Sequence, residues 1–330
     1  MELIGHKHTK EQIEISVKSA KKRNTSLPHM LFAGVAGCGK TSMSKLIAHK
    51  NATDFLSVPA QEFKDNESVM DILERMSHVG YNERGDRLGE GLPIQPTILF
   101  VDEIHRMPTV GEEHLGIAME EFRMVAGKEG NFHWVPYFTL VGATTDDGSL
   151  SKPFRERFKL RFVFDPYSDD EISEILRLYA RSGDINMALT PLAVRNLTKR
   201  SRGIPRIAKG YLERVRDLRL SIPGPSTINS PLVEMTFHRL GIDEEGLTKV
   251  ELKILQALHD AGMPLGLDNL SVVANESPKT LSASAEPFLI RKGFIVRSGK
   301  GRILTQKGKD YLGKIGARKK VEIPENYIRK

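Results

Sequence analysis

Residues 34–41, GVAGCGKT, combine three glycines, a lysine and a hydroxyl in the spacing G-x-x-x-x-G-K-[ST]. Glycines let a loop close its backbone N–H groups around phosphate oxygens, and a helix starting where the loop ends adds the positive end of its dipole. Gly34, Gly37 and Gly39 would form that cradle, Lys40 would reach the β- and γ-phosphates, and Thr41 would hold Mg²⁺. A second stretch, residues 97–105 (TILFVDEIH), is an apolar run that ends in two carboxylates. At the C-terminal end of a parallel strand, Asp102 would hold Mg²⁺, mostly through water, and Glu103 would act as general base on an attacking water. Residues 153–158, PFRERF, add Arg155 and Arg157. An arginine stabilises the charge on a transferring γ-phosphoryl and can come from a neighbouring subunit. Arg206 follows Pro205 at the expected start of a helix.

These side chains need a scaffold. The apolar run 30–33 predicts a strand before the glycine loop, and Met43, Leu46 and Ile47 predict a helix after it. Further strands are expected at 54–58, 97–101, 138–142 and 160–164, that at 138–142 running into the hydroxyls of Thr144 and Thr145. Helices are expected at 9–23, with Thr9 as cap, and at 68–76. Residues 122–137 read as a hairpin with Trp134 as a core anchor, and 80–91 as a glycine- and charge-rich surface loop. The result is an α/β fold with a five-stranded parallel sheet over residues 1–166.

From Ser168 the pattern turns helical. A capping box at Ser168 and Glu171, then Thr190-Pro191 and Pro205-Arg206 as helix starts, predict an all-helical lid over 167–241. Helices at 249–259, 267–274 and 281–291, followed by strands about the basic turn 298–301, predict a winged helix over 242–330, with a basic tail loose at its end.

Composition agrees with this division. The net charge is +7, but residues 247–330 hold 16 Lys and Arg against 8 Asp and Glu, leaving 33 against 34 for the rest. A basic module on a near-neutral body points to DNA, junction or duplex, whose phosphates supply most sequence-independent affinity. The single cysteine, Cys38, forms no internal disulfide and reads as a tolerated small residue in the loop. No apolar run is long enough to cross a membrane and the start lacks a secretory pattern, so no membrane partner and a cytoplasmic location are expected.

Taken in order, the motifs resemble the AAA+ ATPases, and among these the RuvB family of Holliday-junction branch-migration motors, over nearly the whole chain. GVAGCGKT is similar to its Walker A, VDEIHRM to Walker B, GATT to sensor 1, PFRERF to the arginine-finger segment and RGIPRIAKGYLERVRD to the sensor 2 helix. EPFLIRKGFIVRSGKGR is similar to the end of its winged helix. The resemblance implies ATP and Mg²⁺ as cofactors, Ile4 beside the adenine, Thr145 sensing the γ-phosphate, Arg157 as a finger presented in trans and Arg206 on phosphates in cis. It further implies DNA contacts from Arg297, Lys300 and Arg302, a homo-hexameric ring, and a RuvA-like partner docked on the 122–137 hairpin.

Four departures suggest a divergent relative, such as one carried by a phage or mobile element. Asp146 stands where an arginine usually follows GATT, the hairpin is short, the 80–91 loop is extra, and the chain opens just before the Ile4-Gly5 pair. The expected activity is ATP-driven DNA translocation. The alternatives are a clamp-loader-like or initiator-like switch without processive movement, and a low-turnover nucleotide-binding DNA adaptor.

Overall fold

The computed structural model describes residues 3–76, 96–126 and 131–318. The 80–91 loop and the end of the basic tail lie outside the described residues. The chain divides into two compact units, residues 1–175 with 203–207, and residues 176–202 with 208–330.

The first unit is built on α1 (Lys7–Arg23), β1 (Met30–Gly34), α2 (Lys40–Asn51), β2 (Phe55–Pro59), α3 (Asn66–Glu74), β3 (Thr97–Asp102), α4 (Thr109–Glu121), β4 (Arg123–Ala126), β5 (Asn131–Trp134), β6 (Phe138–Thr144), α5 (Lys152–Glu156) and β7 (Leu160–Phe164). Five strands form one sheet in the order β2-β3-β6-β1-β7, all parallel. The inner strands carry the continuous apolar runs: β6 is buried at every residue and β3 at all but Asp102. This is the pattern of strands covered on both faces. Because the strands are parallel, the residues following β1, β3 and β6 leave the same edge of the sheet, which brings the glycine loop, the acid pair and the hydroxyl pair together.

Local differences from the expected elements have identifiable causes. Helix α1 starts at Lys7 with His6 at its N-cap in the left-handed region, so Thr9 is a buried residue of the first turn and caps nothing. Helix α3 starts at Asn66, because Asp65 accepts the Ser68 N–H at 2.8 Å while Ser68 Oγ accepts the Asp65 N–H at 3.0 Å. In the β4–β5 hairpin, Arg123 pairs with Trp134, and Trp134 remains 44% exposed. The core-anchor reading of Trp134 is therefore corrected: among the described residues of this segment Met124 and Val135 are buried instead.

A buried histidine joins three of these elements. His29 Nε2–H donates to the Met119 carbonyl at 3.0 Å, and its Nδ1 accepts the Leu140 N–H at 2.9 Å, so the ring is neutral with a fixed tautomer. Burial pushes its pKa down to about 4, with Lys159 adding to the effect. The unfolded chain, with an ordinary histidine near 6.5, binds the proton more readily than the folded one. Stability is thus complete above about pH 6.5 and falls as the pH drops towards 4, by about 3 kcal/mol for this ring. Denaturant titrations of wild type and His29→Gln between pH 7 and 4 should show this part of the acid slope in wild type only. Equal slopes would remove His29 as its source.

Helix α6 (Asp169–Ala180) leads from the first unit into the second. It has the expected capping box: Ser168 N–H donates to Glu171 Oε2 at 2.9 Å, and Glu171 N–H donates to Ser168 Oγ at 3.3 Å. The second unit then contains β8 (Ala188–Leu189), α7 (Pro191–Arg200), most of α8 (Pro205–Ser221), β9 (Thr227–Ile228) and α9 (Ser230–Leu240). The lid helices are tied by a short parallel pairing of β8 with β9 that the helical periodicity does not announce.

The same unit holds the winged helix: α10 (Lys249–Ala261), α11 (Leu267–Ala274), α12 (Pro278–Thr280), α13 (Glu286–Arg291), the antiparallel pair β10 (Ile295–Ser298) and β11 (Gly301–Leu304), and α14 (Gln306–Arg318). A π-helical turn, Leu281–Ala285, joins α12 to α13. Helix α14 continues into the basic tail as far as Arg318. Tyr311 on that helix stacks on Phe294 at 4.7 Å and donates to Asp243.

Candidate nucleotide site and DNA interface

The glycine loop runs from β1 into α2, whose N-cap is Gly39 at φ 92. No side chain caps the helix, so its first-turn N–H groups face the phosphate position. Two glycines are required by close approach as well as by φ. A Cβ at Gly37 (φ 85) would lie 2.7 Å from Arg206 Cβ, and one at Gly39 would lie 2.7 Å from the Tyr167 hydroxyl. The loop therefore packs between the start of α8 and Tyr167, which puts Arg206 against the glycine loop. Lys40 Nζ donates to the carbonyls of Gly34 at 2.6 Å and Val35 at 3.1 Å, across the loop it belongs to. Thr41 occupies the second residue of α2.

Electrostatics place the acid pair beside this lysine. Burial lowers the Lys40 pKa, while Glu103, then Asp102 and Cys38, oppose the shift, and Arg206 adds to it. Sheet order and the close approach of Arg206 to Gly37 bring Lys40, Asp102, Glu103 and Arg206 to the same end of the sheet, within electrostatic reach of one another. Asp102 closes β3 and accepts the Glu103 N–H at 3.0 Å through Oδ1. Glu103 adopts φ 48, a backbone conformation that residues with a Cβ seldom take and that clusters at functional sites. Its Oε2 accepts the Thr145 hydroxyl at 3.0 Å. Thr145 and Glu103 are in direct contact, which no spacing in the sequence reveals.

Behind the loop, sequence reasoning misses His6. Its Nε2–H donates to the Cys38 carbonyl at 2.9 Å, and its ring lies 4.6 Å from those of Phe164 and Tyr167. Burial lowers the His6 pKa, so the uncharged ring fits this aromatic setting. Ile4 is half-buried beside Gly5 (φ 76), where a Cβ would meet the Tyr167 ring at 2.6 Å. The Cys38 side chain is fully buried, and its place in the loop reflects packing. Arg157 packs on Gly116 of α4, and its Nε lies 3.4 Å from Glu120 Oε1 without the geometry of a hydrogen bond.

The donor set fits a magnesium nucleotide: a Cβ-free loop at an uncapped helix start, an ammonium held under that loop, and a hydroxyl and a carboxylate at adjacent strand ends. Among the described residues no group of three or more His, Cys, Asp and Glu is placed to hold a metal ion by itself, and no helix is long and apolar enough to cross a membrane.

On the winged helix the three hairpin cations divide by role. Arg302 makes two bonds to Glu286, Nε–Oε1 at 2.9 Å and Nη2–Oε2 at 2.8 Å, and its side chain is 13% exposed. It fastens β11 to α13. Arg297 bonds the same carboxylate at 2.8 Å yet keeps 61% exposure, and Lys300 lies exposed on the turn. Burial alone would raise the Glu286 pKa, but bonds from Arg297 and Arg302 outweigh it and hold the carboxyl below its usual range.

This fold and site define a P-loop ATPase of the AAA+ class. Three family models match in succession: the Holliday junction DNA helicase RuvB P-loop domain at 1–81 and 92–163, the RuvB AAA lid domain at 167–243, and the RuvB C-terminal winged helix domain at 244–313. The chain belongs to the RuvB family. The Holliday junction branch migration complex subunit RuvB of Streptococcus agalactiae is 37% identical over 321 residues, covering 94% of this chain and 90% of that one. Among solved structures, the Thermotoga maritima RuvB Holliday junction branch migration motor is 32% identical with a TM-score of 0.76, over 97% of this chain and 96% of that one. A point mutant of the Thermotoga protein gives 33% and 0.78, over 94% and 95%. The P-loop match passes over residues 82–91, within the segment read as an extra loop.

Proposed function

We propose that this chain is an ATP-driven motor that moves Holliday junctions along DNA, acting in the cytoplasm as a homo-hexameric ring. Its family and its hydrolysis site support the motor. The observation that carries the reading is the convergence of Lys40, Asp102, Glu103 and Arg206 on one site, with Thr145 bonded to the base. Three functional domains divide the work: 1–166 hydrolyses ATP, 167–241 supplies Arg206 to the nucleotide, and 242–330 grips DNA.

In hydrolysis, Gly34, Gly37, Gly39 and the first N–H groups of α2 hold the phosphate chain, and Ile4 lies at the base. Lys40 leaves the Gly34 carbonyl for the β- and γ-phosphates. Thr41 and Asp102 would hold Mg²⁺, which when bound neutralises charge on the β- and γ-phosphates. Glu103 takes the proton of the attacking water, Thr145 and Arg206 read the γ-phosphate, and Arg157 of a neighbouring copy supplies charge from outside. The exposed β4–β5 hairpin with Trp134 is the docking surface for a RuvA-like junction-binding partner.

An ATPase assay with junction, duplex and single-stranded DNA, run beside branch migration of a synthetic junction, tests this reading. A motor hydrolyses ATP faster on junctions and converts them over many base pairs. Turnover without conversion would favour the clamp-loader-like switch, and negligible turnover the adaptor.

The division of the hairpin cations gives a second expected outcome. Affinity for duplex should fall steeply with salt, and Arg297→Ala or Lys300→Ala should each lower the slope of log K against log salt by about one. Arg302→Ala should instead lower the melting temperature of the protein. Unchanged slopes for the first two would move the DNA contact off this hairpin.

A further inference from the structure

One side chain of the Walker B segment has no part in the mechanism above. The His105 side chain is 16% exposed, and its Nδ1 lies 3.3 Å from Glu103 Oε2 and 3.0 Å from Thr144 Oγ1. Thr144 is buried at the end of β6, and its hydroxyl oxygen also accepts the Asp146 N–H at 2.9 Å. With its proton on Nδ1, the ring gives its one N–H there to the Thr144 hydroxyl oxygen, which keeps the ring in place and its polar edge beside the Glu103 carboxylate. Oε2 of Glu103 thus has one hydrogen-bond donor, the Thr145 hydroxyl, and one close electrostatic neighbour, the His105 ring.

The two neighbours differ in what they can do during turnover. A threonine hydroxyl has one proton. When Thr145 turns that proton to a γ-phosphate, its bond to Glu103 is given up. The His105 ring has no such second duty, because its hydrogen bond goes to a fixed oxygen at the end of β6 and its polar edge stays beside Oε2. Glu103 needs this support, since its backbone sits at φ 48 and its carboxylate projects from an unfavourable conformation.

We propose that His105 is a positioning residue for hydrolysis: anchored on Thr144, it holds Oε2 of Glu103 throughout the cycle and leaves Oε1 for the attacking water. The proposal rests on Glu103 being the general base. It predicts a residue that acts on the chemical step and leaves nucleotide affinity alone.

The test compares His105→Ala, His105→Asn and His105→Gln. Asparagine keeps an N–H near the Nδ1 position, whereas glutamine carries its N–H near the far nitrogen. The alanine and glutamine variants should lose kcat by about tenfold to a hundredfold, the scale for a catalytic group displaced by about 1 Å, and asparagine should recover most of it. KM for ATP and the equilibrium affinity for a fluorescent ADP analogue should stay within about twofold in all three, as befits a residue acting only on the chemical step. A kcat for His105→Ala within about twofold of wild type would overturn the proposal. So would equal losses for asparagine and alanine, or a fall in affinity that matches the fall in kcat. Glu103→Gln in the same assay separates the two layers. If it is inactive while His105→Ala is unaffected, only the role of His105 fails; if it turns over ATP, the base assignment fails and takes the proposal with it.

Discussion

Glu103→Gln is expected to bind ATP as wild type does and to lose steady-state hydrolysis by about 10²- to 10⁴-fold, the contribution of a positioned general base. The amide keeps the size of the carboxylate, and its carbonyl oxygen still accepts from Thr145, so the φ 48 backbone and the β3–β6 contact persist. What disappears is the ability to take a proton. Lys40, Thr41 and Arg206 are untouched, so nucleotide affinity should hold. Because Glu103 opposes the burial effect on Lys40, loss of its charge should weaken affinity modestly at most. Nucleotide titration and a phosphate-release assay on one preparation check both halves. Hydrolysis close to the wild-type rate would mean that another group activates the water.

Arg157→Ala is expected to lower the ATPase by about 10³-fold or more, the scale on which an arginine finger acts. Within its own chain Arg157 rests against Gly116 and near Glu120, and its Nε makes no hydrogen bond, so the guanidinium is held in place with a donor to spare. If it serves the site of a neighbouring copy, mixing Arg157→Ala with Glu103→Gln should restore activity. Mixed rings contain interfaces where an intact Glu103 meets an intact Arg157. Recovery should follow the statistics of mixing and reach its maximum near equal amounts. Two inactive variants that stay inactive at every ratio would place the finger in cis or remove its role. Loss of Arg157 also frees the space beside Gly116, so the melting temperature should accompany the assay.

Much of this site could be read from residue order. The glycine loop is legible because its chemistry is local: eight consecutive residues supply the cradle, the ammonium and the metal hydroxyl. Strands β3 and β6 are legible because covering both faces demands unbroken apolar runs. Helix α4 escaped the reading for the converse reason. Its buried face holds Gly111, Glu112 and Gly116 among its apolar residues, chosen for close approach and not for hydrophobicity. A Cβ at Gly111 would lie 2.2 Å from the Phe63 carbonyl, and one at Gly116 would meet the Arg157 guanidinium at 3.1 Å. Periodicity cannot register a face made of missing side chains.

The sequence by itself determined the family, the order of the motifs and the candidate reacting groups, because backbone-cradle and strand-end chemistry depend on short spacings. Tertiary structure decided which of those groups meet. Thr145 bonds Glu103 across 42 residues of chain, His6 bonds the Cys38 carbonyl across 32, and Arg206 packs on Gly37. It also divided like from like: Arg297 and Arg302 read alike as hairpin cations, but the buried carboxylate of Glu286 draws Arg302 into the fold and leaves Arg297 mostly in solvent. The physical reason is that a side chain's role is set by its partners, and partners distant in sequence are chosen by sheet order and packing.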